Sequence, residues 1–504
     1  MSLRRPPPAF WWILGISLFY WICAGARAAY QPFWYDELAT WHIARMPTVA
    51  AMWAANTGGV DINVLLSHLC VRLSHALFGT GHLSTRLPAL CGFWILMLSL
   101  YVFLRRRLPL PYALIGMIFP MLTFAWAFAF EARAYGIVLG CTGVALVAWQ
   151  NVADGRMRRT SLAAIAISMA VALACHPFTV LLAIPFGLAE AVRSLEMRRI
   201  DLPVWIAFAA GTPLMLLYPM ILAPMHGIDM HQLQPTYSTL PSFYDAAFRT
   251  AITPLLGAGA AAYLLLRASR GARNESEAKP VFSWHESAAL LGFAISPAIL
   301  ISVMIFSTTM MFFPRYGLIS VIGAAGLLAL LLFRVSGGSR RAGWVMLTVL
   351  MAWLVTARGR EAASGIDDPR AQFEERTPIL LKALADGRPV LMSDPVLFVE
   401  SDFYVPESAA GRLTYVELDR AFRRRYRNQD FSDQLIAYFS KYVPFRVHVE
   451  SWESYSRRNP QFLFHAHGGY QCLYDVLLQG GWKLTLISQS NEESLYEVTA
   501  PAKL

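Results

Sequence analysis

Long apolar segments separated by short polar loops fill the chain from Phe10 to Ala357. A helix of about 20 apolar residues crosses the hydrocarbon core of a bilayer. Beyond Ala357 the pattern changes to shorter apolar runs. The sequence therefore predicts a polytopic α-helical membrane protein with about eleven transmembrane helices, at residues 10–30, 88–104, 109–128, 135–150, 161–175, 177–192, 202–222, 250–266, 286–306, 316–333 and 343–357.

The loops between these segments alternate in charge. One set, which includes the N-terminus, carries 18 lysines and arginines, whereas the other set carries seven. Basic loops face the cytoplasm in membrane proteins. The distribution predicts a multi-pass membrane protein with a cytoplasmic N-terminus and an extracytoplasmic C-terminal region. The first segment, which follows Arg4 and Arg5 and ends in small residues, is also typical of a signal peptide, and its cleavage would leave the topology unchanged.

Composition separates the C-terminal region from the rest. Of 504 residues, 56% are apolar and 15% are charged, which excludes an ordinary soluble enzyme. Residues 1–357 carry 25 basic and 13 acidic side chains, a net charge of +12, whereas residues 358–504 carry 18 and 20, a net charge of −2. Because the basic excess belongs to the membrane half, it indicates no nucleic-acid partner.

The C-terminal region has the pattern of a soluble α/β domain. Six short β-like runs alternate with helical stretches, at residues 389–392, 413–417, 446–449, 461–464, 483–487 and 495–498. The preceding polar residues resemble a linker. We expect a transmembrane domain at 1–357, a linker at 358–376 and an extracytoplasmic domain at 377–504.

One basic run stands out in this domain: Arg423-Arg424-Arg425-Tyr426-Arg427. Such a run is commonly a solvated helix face. The alternative is a binding site for an anionic glycan or for lipid headgroups.

The first outer loop, residues 31–87, carries two stretches with helix-like apolar spacing, Asp36–Trp53 and Asp61–Phe78. This spacing is typical of helices that lie in the membrane interface. The acidic pair Asp36-Glu37 begins the first stretch. A partly desolvated Asp36 could act as general base for an acceptor hydroxyl, or it could be an N-cap that binds free backbone N–H groups.

Other outer loops also carry groups suited to phosphate binding. Glu131 and Arg133 could form an ion pair with each other at the surface. Alternatively, Glu131 could face a sugar or acceptor while the Arg133 guanidinium binds a phosphate. His176 and Arg315 flank other spans on the same predicted side. Arg315 suits either a phosphate contact or an anchor that reaches the interface.

Several motifs, in this order along the chain, resemble the GT-C glycosyltransferases, in the family 39-like branch of protein O-mannosyltransferases and aminoarabinose transferases. They are Trp34-Tyr35-Asp36-Glu37, Asp61-Ile62-Asn63-Val64-Leu65-Leu66, Arg86-Leu87-Pro88-Ala89-Leu90-Cys91-Gly92, Glu131-Ala132-Arg133-Ala134-Tyr135, His176 and Arg315-Tyr316. The resemblance covers about residues 10–320 and implies a GT-C fold.

The resemblance also implies an activity at the inner or plasma membrane. A sugar would pass, with inversion, from a polyprenyl-phosphate donor to an extracytoplasmic glycan, lipid or protein, with membrane lipid around the site. Asp36 would be the catalytic base, Glu37 would assist it, and Glu131 would be a second acidic partner. The residues implied to hold the donor phosphate and lipid are Arg133, Tyr135, His176 and Arg315. The residues implied to contact substrate are Asp61 and Asn63.

The sequence leaves alternatives open. The family's two prolines after Asn63 are replaced by Val64 and Leu65, which keeps open a GT-C-fold protein without catalysis that binds a lipid-linked glycan. A transporter or flippase is a second alternative, although no paired broken spans are seen in the sequence. A divalent metal near His68 and His75 competes with ordinary interfacial histidines, and no cofactor is assigned.

Overall fold

The structure is a computed structural model that describes residues 7–225, 234–268, 281–306, 312–418 and 427–501. Residues 423–426 of the basic run lie outside the described residues. The described part of the chain packs into two compact units. The helical unit comprises the described residues within Met1–Ala29, Asn63–Pro219 and Gln234–Ile366, and the sheet unit comprises those within Tyr30–Ile62, Met220–Leu233 and Asp367–Leu504.

Helices make up most of the described chain. In chain order they are α1 (Pro8–Tyr30), α2 (Tyr35–Ala44), α3 (Val49–Thr57), α4 (Leu65–Phe78), α5 (His82–Arg105), α6 (Leu110–Ile118), α7 (Tyr135–Ala153), α8 (Arg158–Cys175), α9 (Ala183–Met197), α10 (Leu202–Ala209), α11 (Tyr218–Leu222), α12 (Thr239–Ala268), α13 (Trp284–Phe306), α14 (Ser320–Val335), α15 (Arg340–Ser364), α16 (Pro369–Arg376), α17 (Pro378–Asp386), α18 (Pro395–Tyr404), α19 (Glu407–Ala410), α20 (Arg427–Tyr442), α21 (Trp452–Arg458) and α22 (Cys472–Gln479). Short 3₁₀ segments lie at Phe119–Leu122, Phe124–Ala129, Pro177–Leu182, Thr212–Leu217, Ala223–Met225 and Pro314–Gly317.

Within the described residues, nine helical stretches are long and apolar enough to cross a membrane. They are α1, α5, α7, α8, Pro177–Met197, Leu202–Leu222, α12, α13 and α15. The predicted spans 109–128 and 316–333 fall on shorter apolar helices, Leu110–Leu122 and Ser320–Val335. The polytopic helical fold is confirmed, whereas the number of spans and their orientation stay predictions.

Close packing of α5 against α7 fixes the start of α7. A Cβ atom added to Gly92 would lie 2.2 Å from the backbone carbonyl oxygen of Gly136. A Cβ atom added to Gly140 would lie 2.6 Å from the carbonyl oxygen of Gly92. Small residues allow such close approach, and membrane helices associate largely through van der Waals packing. This contact positions Tyr135, the first residue of α7.

The first outer loop contains helices, but its first predicted helix is broken. The stretch Asp36–Trp53 forms α2 and α3 rather than one helix. Pro47 separates them, because proline cannot continue the hydrogen bonding of a helix interior and disfavours helical geometry in the preceding residue. The Thr48 hydroxyl then caps α3 by accepting the Ala51 N–H at 3.1 Å. The second predicted stretch begins later than expected, at Leu65.

The C-terminal region forms a sheet of six strands among the described residues. The strands are β1 (Val390–Met392), β2 (Leu413–Glu417), β3 (His448–Ser451), β4 (Gln461–His467), β5 (Lys483–Gln489) and β6 (Glu493–Thr499). Their spatial order is β3-β2-β1-β4-β6-β5. Strands β1 to β4 pair in parallel, whereas β6 pairs antiparallel to β4 and β5. Each predicted β-like run overlaps one strand, so the predicted α/β domain is confirmed.

The sheet has an apolar core of its own. Its buried side chains include Leu391, Val416, Phe462, Phe464 and Val498. Buried apolar area is the main favourable contribution to folding. The helices α2 and α3 of the first outer loop belong to this sheet unit and not to the helical unit.

Candidate active site

A cleft in the helical unit brings together three candidate residues that are far apart in the sequence. Tyr135 begins α7, His176 follows α8, and Arg315 lies in the 3₁₀ segment Pro314–Gly317. All three line a small open cleft. The other lining residues are Val138, Leu139, Phe178, Thr179, Leu182, Tyr316, Leu318 and Ile319. The cleft is therefore lined by an arginine, a histidine and tyrosines within a largely apolar wall.

The His176 ring is oriented by the backbone. His176 is 3% exposed, and its Nδ1 accepts the backbone N–H of Phe178 at 3.2 Å. A neutral imidazole has one donor and one acceptor nitrogen. Since Nδ1 is the acceptor, neutral His176 carries its proton on Nε2. The ring centroid lies 5.1 Å from that of Tyr135, so both polar groups belong to the same part of the cleft.

The Arg315 guanidinium lies against an aromatic ring. The Arg315 guanidinium carbon lies 4.4 Å from the centroid of the Phe313 ring, a cation–π contact. The next residue, Tyr316, stacks on Phe178 with centroids 3.9 Å apart. The face of the guanidinium is thus supported by a ring, and its planar fork of donors suits the bidentate recognition of a phosphate.

Glu131 and Arg133 occupy the turn before α7. The Arg133 backbone N–H donates to the Glu131 carbonyl at 2.7 Å. Arg133 is 5% exposed, so the turn is not the exposed surface couple that was one alternative. Within the described part of the chain, neither residue lines the cleft, but both precede Tyr135, which does.

The segment in which the family's prolines are replaced makes a specific backbone contact. Asn63 is 1% exposed and lies in the helical unit. The next residue, Val64, donates its backbone N–H to the carbonyl of Cys175 at 3.0 Å. A proline at this position has no N–H and could not make the bond. The replacement therefore ties the start of α4 to the end of α8, one residue before His176.

The acidic pair lies in the sheet unit, in the first turn of α2. The N-cap position of this helix is Trp34, so the alternative in which Asp36 is the N-cap is wrong. The backbone N–H of Glu37 and that of Leu38 donate to the Trp34 carbonyl, each at 3.0 Å. Asp36 is partly exposed, whereas Glu37 is fully buried. The first turn of a helix favours negative side chains, because the free N–H groups and the helix dipole face them.

Asp61 also belongs to the sheet unit and is 6% exposed. Its backbone carbonyl accepts the side-chain amide of Asn56 at 2.7 Å. Asn56 is itself fully buried in α3. This contact fixes the turn that follows α3.

The histidines considered as metal ligands lie on α4. Nε2 of His75 shares a hydrogen bond with the Thr85 hydroxyl at 2.9 Å. Across the residues that the structure describes, no three His, Cys, Asp or Glu side chains form a group able to hold a metal ion.

Phe178 is a lining residue that the sequence reasoning missed. It follows His176-Pro177, so its position next to a candidate residue was visible in the sequence. Its contact with Tyr316 was not, because the two residues are brought together only by the packing of the 3₁₀ segments that contain them.

Solved structures with a similar fold exist. The chain resembles the crystal structure of ArnT from Cupriavidus metallidurans in the apo state with a TM-score of 0.55 at 13% identity, covering 96% of this chain and 97% of that chain. It resembles the structure of ArnT from Cupriavidus metallidurans bound to undecaprenyl phosphate with a TM-score of 0.54 at 15% identity, covering 97% and 98%. Neither a protein-family model nor a curated protein matches the sequence. The fold that the motifs led us to expect is therefore confirmed over nearly the whole chain.

Proposed function

We propose that the chain is a membrane glycosyltransferase that moves a sugar from a polyprenyl-phosphate donor to an acceptor outside the cytoplasm. The observation that carries the proposal is the cleft lined by Tyr135, His176 and Arg315. It combines hydrogen-bond donors and a cation with apolar walls. A lipid phosphate has the matching chemistry, an anionic head and a hydrocarbon tail.

The neighbouring structure supports the same class of donor. The protein to which this chain is similar over nearly its whole length has been crystallised with undecaprenyl phosphate. We extend that ligand class to this chain as part of the proposal. The sugar, and whether the acceptor is a glycan, a lipid or a protein, are open.

The proposed phosphate site uses side-chain donors of the cleft. Arg315 supplies a bidentate fork, His176 supplies Nε2–H, and Tyr135 supplies its hydroxyl. We add Arg133, from the turn before Tyr135, as a fourth contact. The leaving group of the reaction is a phosphate monoester, whose negative charge grows as the bond to the sugar breaks. Donors already aimed at that charge stabilise the transition state.

The proposed base is Asp36. Its carboxylate would take the proton of an acceptor hydroxyl as that oxygen attacks the anomeric carbon. The bond from the anomeric carbon to the phosphate oxygen breaks in the same displacement, and the polyprenyl phosphate leaves with the bonding electrons. A single displacement inverts the anomeric configuration. Glu37 and Glu131 are proposed to assist, and Asp61 and Asn63 to contact substrate.

A transfer assay tests the proposal. The purified full chain in detergent is incubated with polyprenyl-phosphate-linked sugars and a membrane extract, beside the variant Asp36→Asn. The matched control is Asp245→Asn, because Asp245 is an exposed acid that pairs with Arg249 on α12. We expect product from the parent chain and from Asp245→Asn, and loss of product from Asp36→Asn.

Other outcomes select the alternatives. Equal product from the parent chain and Asp36→Asn would remove Asp36 from the mechanism and direct attention to Glu37 and Glu131. Donor binding without product, across several donor sugars, would favour a protein that only binds lipid-linked glycan. Movement of the donor across a vesicle membrane without sugar transfer would favour a flippase.

A further inference from the structure

The helix that carries the acidic pair packs against a helix of the C-terminal domain. Both α2 and α18 lie in the sheet unit. Helix α18 begins directly after β1, the strand at the centre of the parallel part of the sheet. Two side chains of α18 make contacts on either side of Asp36 and Glu37.

The first contact fixes the entry to α2. The backbone N–H of Phe33 donates to the hydroxyl oxygen of Tyr404 at 2.5 Å. Both residues are buried, at 1% and 5% exposure, so the bond is shielded from water. The Tyr404 ring is itself held, because it stacks on Phe373 with centroids 5.1 Å apart. A buried N–H that loses its acceptor is costly, so this hydroxyl holds the chain three residues before Asp36.

The second contact fixes both sides of the acidic pair. Phe403 packs edge-to-face on Phe33, with centroids 5.7 Å apart, and on Trp41, with centroids 5.0 Å apart. Phe33 precedes the pair, and Trp41 follows it by about one helical turn. Because one ring contacts residues before and after the pair, the first turn of α2 has little freedom to rotate or shift along its axis.

The same helix α18 carries a buried acid. Glu400 is 8% exposed and lies one helical turn before Tyr404 on α18. Burial raises the pKa of Glu400 to about 7; Arg376 opposes the rise, and Asp394 and Glu37 add to it. The Arg376 guanidinium lies 3.5 Å from the Glu400 carboxylate.

We propose that Tyr404 and Phe403 are positioning residues, through which the C-terminal domain holds the first turn of α2, and with it the Asp36 carboxylate, in the orientation for transfer. The inference rests on the proposed function, since it assigns these residues to the reaction of Asp36. It gives the extracytoplasmic domain a role in catalysis without contact between its own side chains and the substrate.

Tyr404→Phe is the variant that tests the proposal most cleanly. It removes the hydroxyl that accepts the Phe33 N–H and keeps the ring that stacks on Phe373. The matched control is Tyr455→Phe, a buried tyrosine in the core of the same domain that contacts Trp452 and Phe462. Both full-length variants are studied in detergent by hydrogen–deuterium exchange and by sugar transfer.

We expect Tyr404→Phe to speed exchange in the peptide that covers residues 33–38 and to lower kcat on the order of 10-fold, with KM for the donor unchanged. This loss is smaller than the roughly 100-fold that a 1 Å misplacement of reacting groups can cost. Tyr455→Phe should change neither quantity. Such a split between kcat and KM, together with local exchange, distinguishes positioning from a general loss of stability.

Two results would overturn the inference. Unchanged exchange in Tyr404→Phe would show that the hydroxyl does not hold the entry to α2. Faster exchange with an unchanged kcat would show that holding α2 does not matter for the reaction. If the parent chain transfers no sugar, the proposed function fails, and with it the catalytic role of these residues, whereas the exchange data still decide whether the domain holds α2.

Discussion

Replacing Arg315 with glutamine tests whether the cleft binds a lipid phosphate. The substitution keeps a polar, hydrogen-bonding side chain, although a shorter one, and removes the charge that lies 4.4 Å from the centre of the Phe313 ring. A hydrogen bond to a charged group contributes about 1.5–3 kcal/mol. Since 1.4 kcal/mol corresponds to a factor of ten in affinity, we expect Kd for undecaprenyl phosphate to rise roughly 10- to 150-fold.

The measurement is equilibrium binding of radiolabelled undecaprenyl phosphate to the purified full chain in detergent. Arg249→Gln is the matched control, because Arg249 lies exposed on α12 of the same unit and pairs with Asp245. Arg315→Lys should fall between the parent chain and Arg315→Gln, since lysine keeps the charge and loses the planar fork. A Kd in Arg315→Gln within threefold of the parent value, or an equal loss in Arg249→Gln, would refute the phosphate role of this cleft.

Three further predictions concern stability, measured as thermal unfolding of the full chain in detergent. Gly92→Ala should lower Tm strongly, since its Cβ would meet the backbone of α7 at 2.2 Å and overpacking costs about 1–3 kcal/mol, whereas Gly15→Ala, with open space at its Cβ, should not. Val64→Pro should cost about 1–3 kcal/mol by removing the N–H that satisfies a carbonyl at the end of α8; an unchanged Tm would contradict this account. Glu400→Gln should gain stability relative to the parent chain as pH rises from 4.5 to about 7, because in that window the unfolded parent releases the Glu400 proton whereas the folded parent keeps it; a difference in Tm that does not change with pH would contradict it.

Much of the fold follows from local sequence pattern. Each predicted apolar segment falls on an apolar helical stretch. Such a helix is recognised from the length and hydrophobicity of one continuous run of sequence, so no long-range contact has to be known. Each β-like run of the tail overlaps a strand for the same reason. Pro47 marks the break in the first loop helix, and it was visible in the sequence. The prediction of one continuous helix relied on apolar spacing, which continues past Pro47 although proline lacks the N–H that a helix interior needs.

Long-range contacts are what the pattern could not supply. His176 and Arg315 line one cleft although 138 residues of sequence separate them, and only the motif resemblance had placed them together. The bond from Phe33 to Tyr404 joins residues 371 positions apart, and neither residue stands out by type. Such contacts depend on how packed helices meet, which no single segment encodes.

Release of polyprenyl phosphate is the measurement that tests the central claim most directly. The purified full chain, a polyprenyl-phosphate-linked sugar and an acceptor extract are incubated together, and both the freed lipid phosphate and the glycosylated acceptor are quantified by mass spectrometry. Our account predicts the two products in equal amounts, an inverted anomeric linkage, and neither product with Asp36→Asn. Intact donor after incubation with the parent chain, under conditions in which the donor is bound, would contradict it.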